Sequence, residues 1–138
     1  MHWIPLEVFA VVVIVFMLLK KSGEISIQTA LAHLKNGALV VDVRSRGEFN
    51  SGHLPKAVNI PLDEIETTLP CRVPDKNQTL LLHCLSGTRS GVAKVKLKGM
   101  GCPNVFNVGS YGRAERILKQ WNGRANAAAQ TKGGDVTQ

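Results

Sequence analysis

Aromatic side chains are scarce in this sequence of 138 residues, with one Tyr, two Trp and four Phe. Two of the phenylalanines, Phe9 and Phe16, lie in an apolar run near the amino terminus. The 17 Lys and Arg residues are scattered from Lys20 onward, and the formal net charge is +7. Nucleic-acid-binding modules combine clustered basic side chains with aromatic ones that stack on bases. The sequence therefore predicts no nucleic-acid partner, and its charge favours a small anion, an acidic protein or an anionic membrane surface.

Cysteine is also scarce, and the spacing of the three cysteines excludes two kinds of site. An odd count with no CxxC pair is neither a disulfide framework nor a redox or metal-binding motif. The four histidines have no paired metal-ligand spacing either. We therefore expect no metal and no other cofactor, and at least one free thiol, which suits a reducing compartment. The three cysteines are Cys71, Cys84 and Cys102, and the four histidines are His2, His33, His53 and His83.

Charged residues are missing from the twelve positions Val8–Leu19. Extended back to Trp3, the apolar run has seventeen residues with one acid, Glu7, and as a helix it would be about 25 Å long, close to the roughly 30 Å of a bilayer core. Lys20 and Lys21 follow at once, which places the amino terminus outside and the main domain in the cytoplasm. A cleaved signal peptide, for which no basic segment or small-residue cleavage site is present, and a buried core helix are the alternatives. We expect residues 1–21 to form a single-pass membrane anchor.

Strand-like and helix-like segments alternate from residue 22 to residue 122. Such alternation predicts an α/β domain with a largely parallel sheet flanked by helices. The tail, residues 123–138, is rich in Ala, Gly and polar residues and is predicted to be disordered. The five predicted strands are Ile25–Ile27, Ala38–Val43, Ala57–Ile60, Thr79–His83 and Val105–Val108.

The segment after the strand Thr79–His83 carries the strongest functional signal. Cys84 ends this apolar strand, four residues separate it from Arg89, and a helix is predicted to begin directly afterwards. The N–H groups of such a loop and of the helix start form a cradle for anions and stabilise a thiolate. Gly87 permits the bend, and Arg89 adds positive charge.

Cys84 is therefore a candidate nucleophile beside an anion-binding loop. A free cysteine at a strand end is often only a small buried apolar residue, but the strand–loop–helix context favours the catalytic interpretation. The candidate substrate-binding residues are Leu85, Ser86, Gly87, Thr88 and Arg89.

Several blocks in order make the sequence similar to the rhodanese (sulfurtransferase) family over about residues 22–122. The blocks are Val41–Arg44, Glu48-Phe49, Ser51–Pro61, Cys84–Ser90 and Val105–Ser110, followed by Trp121. The resemblance implies a Rossmann-like rhodanese domain with a central parallel sheet of five strands. It also implies that Cys84 accepts a sulfane sulfur from thiosulfate or a related donor as a persulfide. The persulfide would then pass the sulfur to cyanide or to a thiol acceptor.

Asp42 and Arg44 are predicted to support the site. Asp42 and Arg44 belong to a block that is mainly structural in the family, and they are expected to brace the active loop or to pair with Glu48.

A cysteine phosphatase or arsenate reductase would use a similar cradle, but the related phosphatase loops hold five residues between Cys and Arg, whereas this loop holds four. A non-catalytic binding module tethered to the membrane is the other alternative. The oligomeric state is left open.

Overall fold

Apolar side chains cover both faces of a parallel β-sheet in the computed structural model, which describes residues 5–21 and 23–132. The strands are β1 (Leu39–Asp42), β2 (Val58–Asn59), β3 (Leu80–His83) and β4 (Val105–Gly109). The helices are α1 (Leu6–Lys21), α2 (Ile27–Lys35), α3 (Arg46–Ser51), α4 (Ile65–Arg72), α5 (Thr88–Gly99) and α6 (Tyr111–Lys132). A single 3₁₀ turn, Leu62–Glu64, precedes α4.

The described strands form one sheet in the order β2-β1-β3-β4, and all neighbouring pairs are parallel. Every residue of β3 is buried, as is typical of a parallel strand covered by helices on both faces. Because parallel strands end at the same edge of the sheet, the carboxyl ends of β1, β3 and β4 lie side by side. This edge is where α/β sheets usually carry their ligand sites.

The predicted parallel sheet with flanking helices is confirmed, but the sheet has four strands in the described residues and not five. The missing strand is Ile25–Ile27, which is reduced to one isolated bridge between Glu24 and Asn107. The physical reason is that α2 already begins at Ile27. Ser26 caps this helix, because its side chain accepts a hydrogen bond of 3.1 Å from the backbone N–H of Thr29.

The prediction of a single-pass membrane anchor is wrong. Helix α1 has 16 residues, and at about 1.5 Å per residue it is about 24 Å long, shorter than the roughly 30 Å of a bilayer core. Within residues 5–21 and 23–132, no helix combines the length and the apolar character needed to cross a membrane. The predicted membrane location of the domain is thereby contradicted. Trp3, at the start of the predicted apolar run, lies outside the described residues.

The last helix is longer than the sequence pattern predicts. Helix α6 continues to Lys132, so residues 123–132 of the predicted disordered tail are helical. This stretch contains four alanines, Ala125 and Ala127–Ala129, and alanine has the highest helix propensity. Residues 133–138 of the predicted tail lie outside the described residues.

Candidate active site

Cys84 lies directly after β3, at the edge where the strands end, and its side chain is fully buried. Its backbone N–H donates to the carbonyl of Gly109 at 3.2 Å, which ties it to the end of β4. The backbone N–H of Gly87 donates to Sγ of Cys84 at 3.0 Å. Sγ therefore lies inside the curl of the loop that the sequence predicted to be an anion cradle.

Gly87 makes the curl possible. Its φ is +92°, in the left-handed region, and a Cβ here would lie 3.2 Å from the Cα of Gly109 and 3.0 Å from a carboxylate oxygen of Glu24. Glycine alone adopts this conformation readily and leaves room for the neighbouring backbone. Gly87 is also the N-cap of α5, so Arg89 lies in the first turn of this helix and not before it.

The pKa of the Cys84 thiol is lowered from its ordinary value. Burial by itself raises this pKa, but hydrogen bonds from the Ser90 hydroxyl and from the backbone N–H groups of Ser90, Gly87 and Ser86 outweigh the burial. A thiol held by several donors ionises more readily, and the thiolate is the nucleophilic form. These hydrogen bonds therefore favour the ionised form of the Cys84 sulfur, and the catalytic role of Cys84 stays a prediction.

Arg89 is bound by a carboxylate of the same chain. Its Nη1 and Nη2 donate to the two carboxylate oxygens of Glu48 at 2.6 and 3.0 Å. This fork lowers the pKa of Glu48 to about 2 and raises the pKa of Arg89. Much of the positive charge that Arg89 is predicted to add to the loop is therefore balanced by Glu48.

Glu48 is a site residue that the sequence reasoning did not select. It belongs to a capping box at the start of α3, in which the Ser45 side chain accepts from the N–H of Glu48 and the Glu48 side chain accepts from the N–H of Ser45. The pattern Ser-x-x-Glu is a recognisable sign of a helix start. The pairing of Glu48 with Arg89, which is 41 positions away, cannot be predicted from the local sequence.

Asp42 and Arg44 pair with each other behind the loop. The Nε of Arg44 lies 3.0 Å from both carboxylate oxygens of Asp42, and Nη2 lies 2.8 Å from Oδ2. The same Nη2 donates to the carbonyl of Gly52 at 2.8 Å, and the guanidinium lies over the Tyr111 ring at 4.7 Å. This buried pair joins the end of β1 to the turn at Gly52 and to the start of α6, and the predicted bracing of the active loop stays a prediction.

The remaining loop residues point in different directions. The Leu85 side chain is 60% exposed, while its carbonyl accepts from the N–H of Tyr111 at 3.2 Å. The hydroxyl of Ser86 lies 3.4 Å from that of Thr88, and Ser86 also pairs with Ser110 in an isolated bridge. The loop is thus attached to the junction between β4 and α6, and its backbone rather than its side chains faces Cys84.

Two buried polar residues near Cys84 were not among the predicted site residues. Ser90 Oγ lies 3.5 Å from the Cys84 sulfur and 2.7 Å from Oδ1 of Asn107. Both side chains are buried, with Ser90 fully enclosed and Asn107 5% exposed. The only sign in the sequence is a polar residue within the otherwise apolar strand Val105–Val108.

Comparison with known proteins gives a consistent result. The family model described as Rhodanese-like domain matches residues 26–111. The thiosulfate sulfurtransferase PspE of Escherichia coli (strain K12) is 41% identical over 69 residues, which are 50% of this chain and 66% of that protein. The chain thus spans less than two thirds of the length of the curated relatives that it matches first.

Two solved structures extend this comparison to the fold. A rhodanese with anions from E. coli superposes with a TM-score of 0.54 at 36% identity, covering 56% of this chain and 91% of that one. A human single-domain sulfurtransferase superposes with a TM-score of 0.58 at 28% identity, covering 70% of this chain and 96% of that one.

Proposed function

This chain belongs to the rhodanese-like domain family, and on that premise we propose that it is a sulfurtransferase in which Cys84 carries the sulfur. The donor is thiosulfate or a related compound with a sulfane sulfur, and the acceptor is cyanide or a thiol. The observation that supports this proposal most directly is the buried Cys84 sulfur, which accepts the N–H of Gly87 at 3.0 Å and whose pKa is lowered.

The reaction has two steps, both at the Cys84 sulfur. The thiolate attacks the outer sulfur of thiosulfate, the bond between the two donor sulfurs breaks, and sulfite leaves with the electron pair. The product is a Cys84 persulfide anion. The nucleophilic acceptor then attacks the terminal sulfur, and the Cys84 thiolate is released. Charge balances in each step, and no external oxidant or reductant is needed.

The N–H groups around the loop are placed to stabilise the charge that moves in these steps. They lie on a helix start and a curled backbone, whose dipoles favour negative charge. Since Arg89 is paired with Glu48, the donor's anionic end is received mainly by backbone N–H groups. In this proposal Arg89 fixes the loop and adds a partly balanced positive charge.

The first experiment measures the intact mass of the protein after incubation with thiosulfate. A gain of one sulfur atom that cyanide reverses, and that is absent in Cys84→Ser, is the expected result. Cys71→Ser is the matched control, since Cys71 is an exposed free thiol on α4, and this variant should gain the sulfur like the unaltered chain.

Each other outcome rejects part of the proposal. A sulfur gain that survives in Cys84→Ser would reject Cys84 as the carrier. No gain, together with turnover of a phosphate ester, would favour a phosphatase. No gain and no reactivity of Cys84 toward thiol reagents would favour a binding module.

A further inference from the structure

A network of hydrogen bonds between uncharged groups lies next to the Cys84 sulfur. Ser90 Oγ is 2.7 Å from Asn107 Oδ1, 3.1 Å from the Gly87 carbonyl oxygen and 3.5 Å from Sγ of Cys84. Asn107 Nδ2 donates to the same Gly87 carbonyl at 3.2 Å, and Asn107 Oδ1 accepts from the N–H of Gly109 at 2.9 Å. Ser90 and Asn107 are both buried, so water does not compete for these bonds.

The orientation of the Asn107 amide is fixed by its neighbours. The N–H of Gly109 is a donor only, so the atom facing it must be the amide oxygen. The Gly87 carbonyl is an acceptor only, so the atom facing it must be the amide nitrogen. Turning the amide over would place donor against donor and acceptor against acceptor, which is costly in a buried site.

The Ser90 hydroxyl has one proton and three acceptors within reach. While Cys84 is a neutral thiol, Asn107 Oδ1 is the closest acceptor. When Cys84 is a thiolate, a charge-assisted bond to sulfur becomes the stronger alternative. A rotation of the hydroxyl is enough to exchange one for the other.

This rotation leaves no buried acceptor without a donor. Asn107 Oδ1 keeps the N–H of Gly109. The Gly87 carbonyl keeps Asn107 Nδ2 and the N–H of Gly91, at 3.2 and 3.1 Å. The usual penalty for an orphaned buried polar group, about 1–3 kcal/mol, is therefore avoided.

We infer that Asn107 is a positioning residue that holds the Ser90 hydroxyl within reach of Cys84 and lets it turn to the sulfur whenever the sulfur is negatively charged. The inference deepens the proposed function, because the Cys84 thiolate is the attacking group of the first step and the leaving group of the second. Asn107 acts through Ser90 and does not itself touch the sulfur.

Several ionisable side chains surround Cys84, but the hydrogen bonds of Ser90 and Asn107 in the described structure are all to uncharged groups or to Cys84 itself. The ionisable neighbours come from each element packed around the loop. They are Arg89 on α5, Glu48 on α3, Asp42 and Arg44 at the end of β1, His83 on β3, Tyr111 on α6, and Glu24 against Gly87 and Gly109. A change of Asn107 to a neutral residue therefore leaves these charges in place.

The test is the pH dependence of Cys84 alkylation by iodoacetamide, read at the Cys84 peptide by mass spectrometry so that Cys71 and Cys102 are scored separately. Asn107→Ala and Ser90→Ala are each expected to raise the pKa of Cys84 and to slow alkylation at pH 7 at least threefold. In the double variant, alkylation should be no slower than in Ser90→Ala alone, because the effect of Asn107 passes through the hydroxyl.

Asn107→Asp is the second variant and keeps an acceptor for Gly109. Its carboxylate should hold the Ser90 hydroxyl away from sulfur and slow alkylation more than Asn107→Ala, and part of this effect should disappear in the Ser90→Ala background. Asn104→Ala is the matched control, since Asn104 is only partly buried and donates to the Asn77 carbonyl, and its alkylation profile should not change.

Two results would overturn the inference: no change of the profile in either Asn107 variant, or the same slowing by Asn107→Ala whether or not Ser90 is present. Alkylation needs no sulfur donor, so these results are independent of the mass experiment. Sulfur gain with an unchanged alkylation profile would reject only the role of Asn107, and a changed profile without sulfur gain would reject only the proposed reaction.

Discussion

Glu48 connects two helices, since its carboxylate accepts from the cap of α3 and from the Arg89 guanidinium of α5. Its pKa is lowered from 4.5 to about 2, so the pair stabilises the folded chain fully above about pH 4.5. This contribution is lost as the pH falls from 4.5 to 2. Glu48→Gln should lower the free energy of unfolding at pH 7, and its stability should decrease less than that of the unaltered chain over that acidic range. Urea unfolding at a series of pH values measures both.

The matched control for this prediction is Glu66→Gln. Glu66 forms an exposed ion pair with Lys96 at 3.1 Å, and exposed single contacts of this kind contribute little. An equally large loss of stability in Glu66→Gln and Glu48→Gln would contradict the prediction. It would show that the bidentate Arg89–Glu48 pair contributes no more to the free energy of unfolding than an exposed single contact.

The sequence predicts the position of a site residue well where the signal is local. Cys84, Gly87 and Arg89 follow one strand and open one helix, so a few consecutive residues carry the pattern. The contacts Arg89–Glu48 and Ser90–Asn107 join positions 41 and 17 residues apart, and only the folded chain brings them together. For this reason the sequence singled out Cys84 as a candidate nucleophile but could not reveal that Glu48 binds Arg89.

Gly109 joins β4 to the active loop and allows no side chain. Its φ is +103°, and a Cβ would lie 2.5 Å from Oε1 and 2.7 Å from Cδ of Glu24. Gly109→Ala should lower the free energy of unfolding by roughly 1–3 kcal/mol from backbone strain alone. It should also slow the alkylation of Cys84, because the Gly109 carbonyl holds the Cys84 N–H. Chemical denaturation and alkylation rates at pH 7 measure the two effects.

Gly112→Ala provides the comparison for Gly109→Ala. Gly112 lies in α6, and a Cβ there meets nothing within 4 Å, so its stability should be unchanged or higher by up to about 1 kcal/mol. In the double variant Gly109→Ala/Glu24→Ala, the free energy of unfolding lost through the close contact with Glu24 should be recovered. The loss caused by the positive φ at position 109 should remain. Equal stabilities for Gly109→Ala and Gly112→Ala would contradict the prediction.

At the scale of helices and strands, predominantly apolar patterns predicted β1, β3 and β4, because burial on both faces leaves a clear signal. Segments with two compatible signals were harder to assign. Ile25–Ile27 has the composition of a strand, but the cap at Ser26 starts a helix at Ile27. The alanines after residue 124 read as low complexity, although alanine also favours the helix that α6 forms there.

At the scale of the whole molecule, the described part of helix α1 contributes no side chain to the buried core. Every fully buried apolar side chain of the described core lies between Ala30 and Ile117, whereas α1 exposes large apolar side chains such as Leu6, Phe9 and Phe16. Exposed apolar surface of this extent promotes association. Removing residues 1–22 should leave the thermal midpoint within a few degrees and should reduce self-association, as measured by light scattering after size-exclusion chromatography.

Val12→Lys combined with Phe16→Lys is the full-length companion to this truncation, because both side chains are exposed. It should also reduce association without changing the thermal midpoint. A large fall of the midpoint in either variant would show that α1 contributes to the folded core.

The complete burial of the Cys84 side chain has a chemical consequence for the survival of the protein under oxidative stress. Exposed thiolates are oxidised stepwise to sulfinic and sulfonic acids, and the last steps are irreversible. In the proposed reaction the transferred atom sits one disulfide-like bond, about 2.05 Å, beyond the protected sulfur. While the persulfide is present, an oxidant from solution meets the outer atom first, and transfer of that atom to the acceptor restores the Cys84 thiolate.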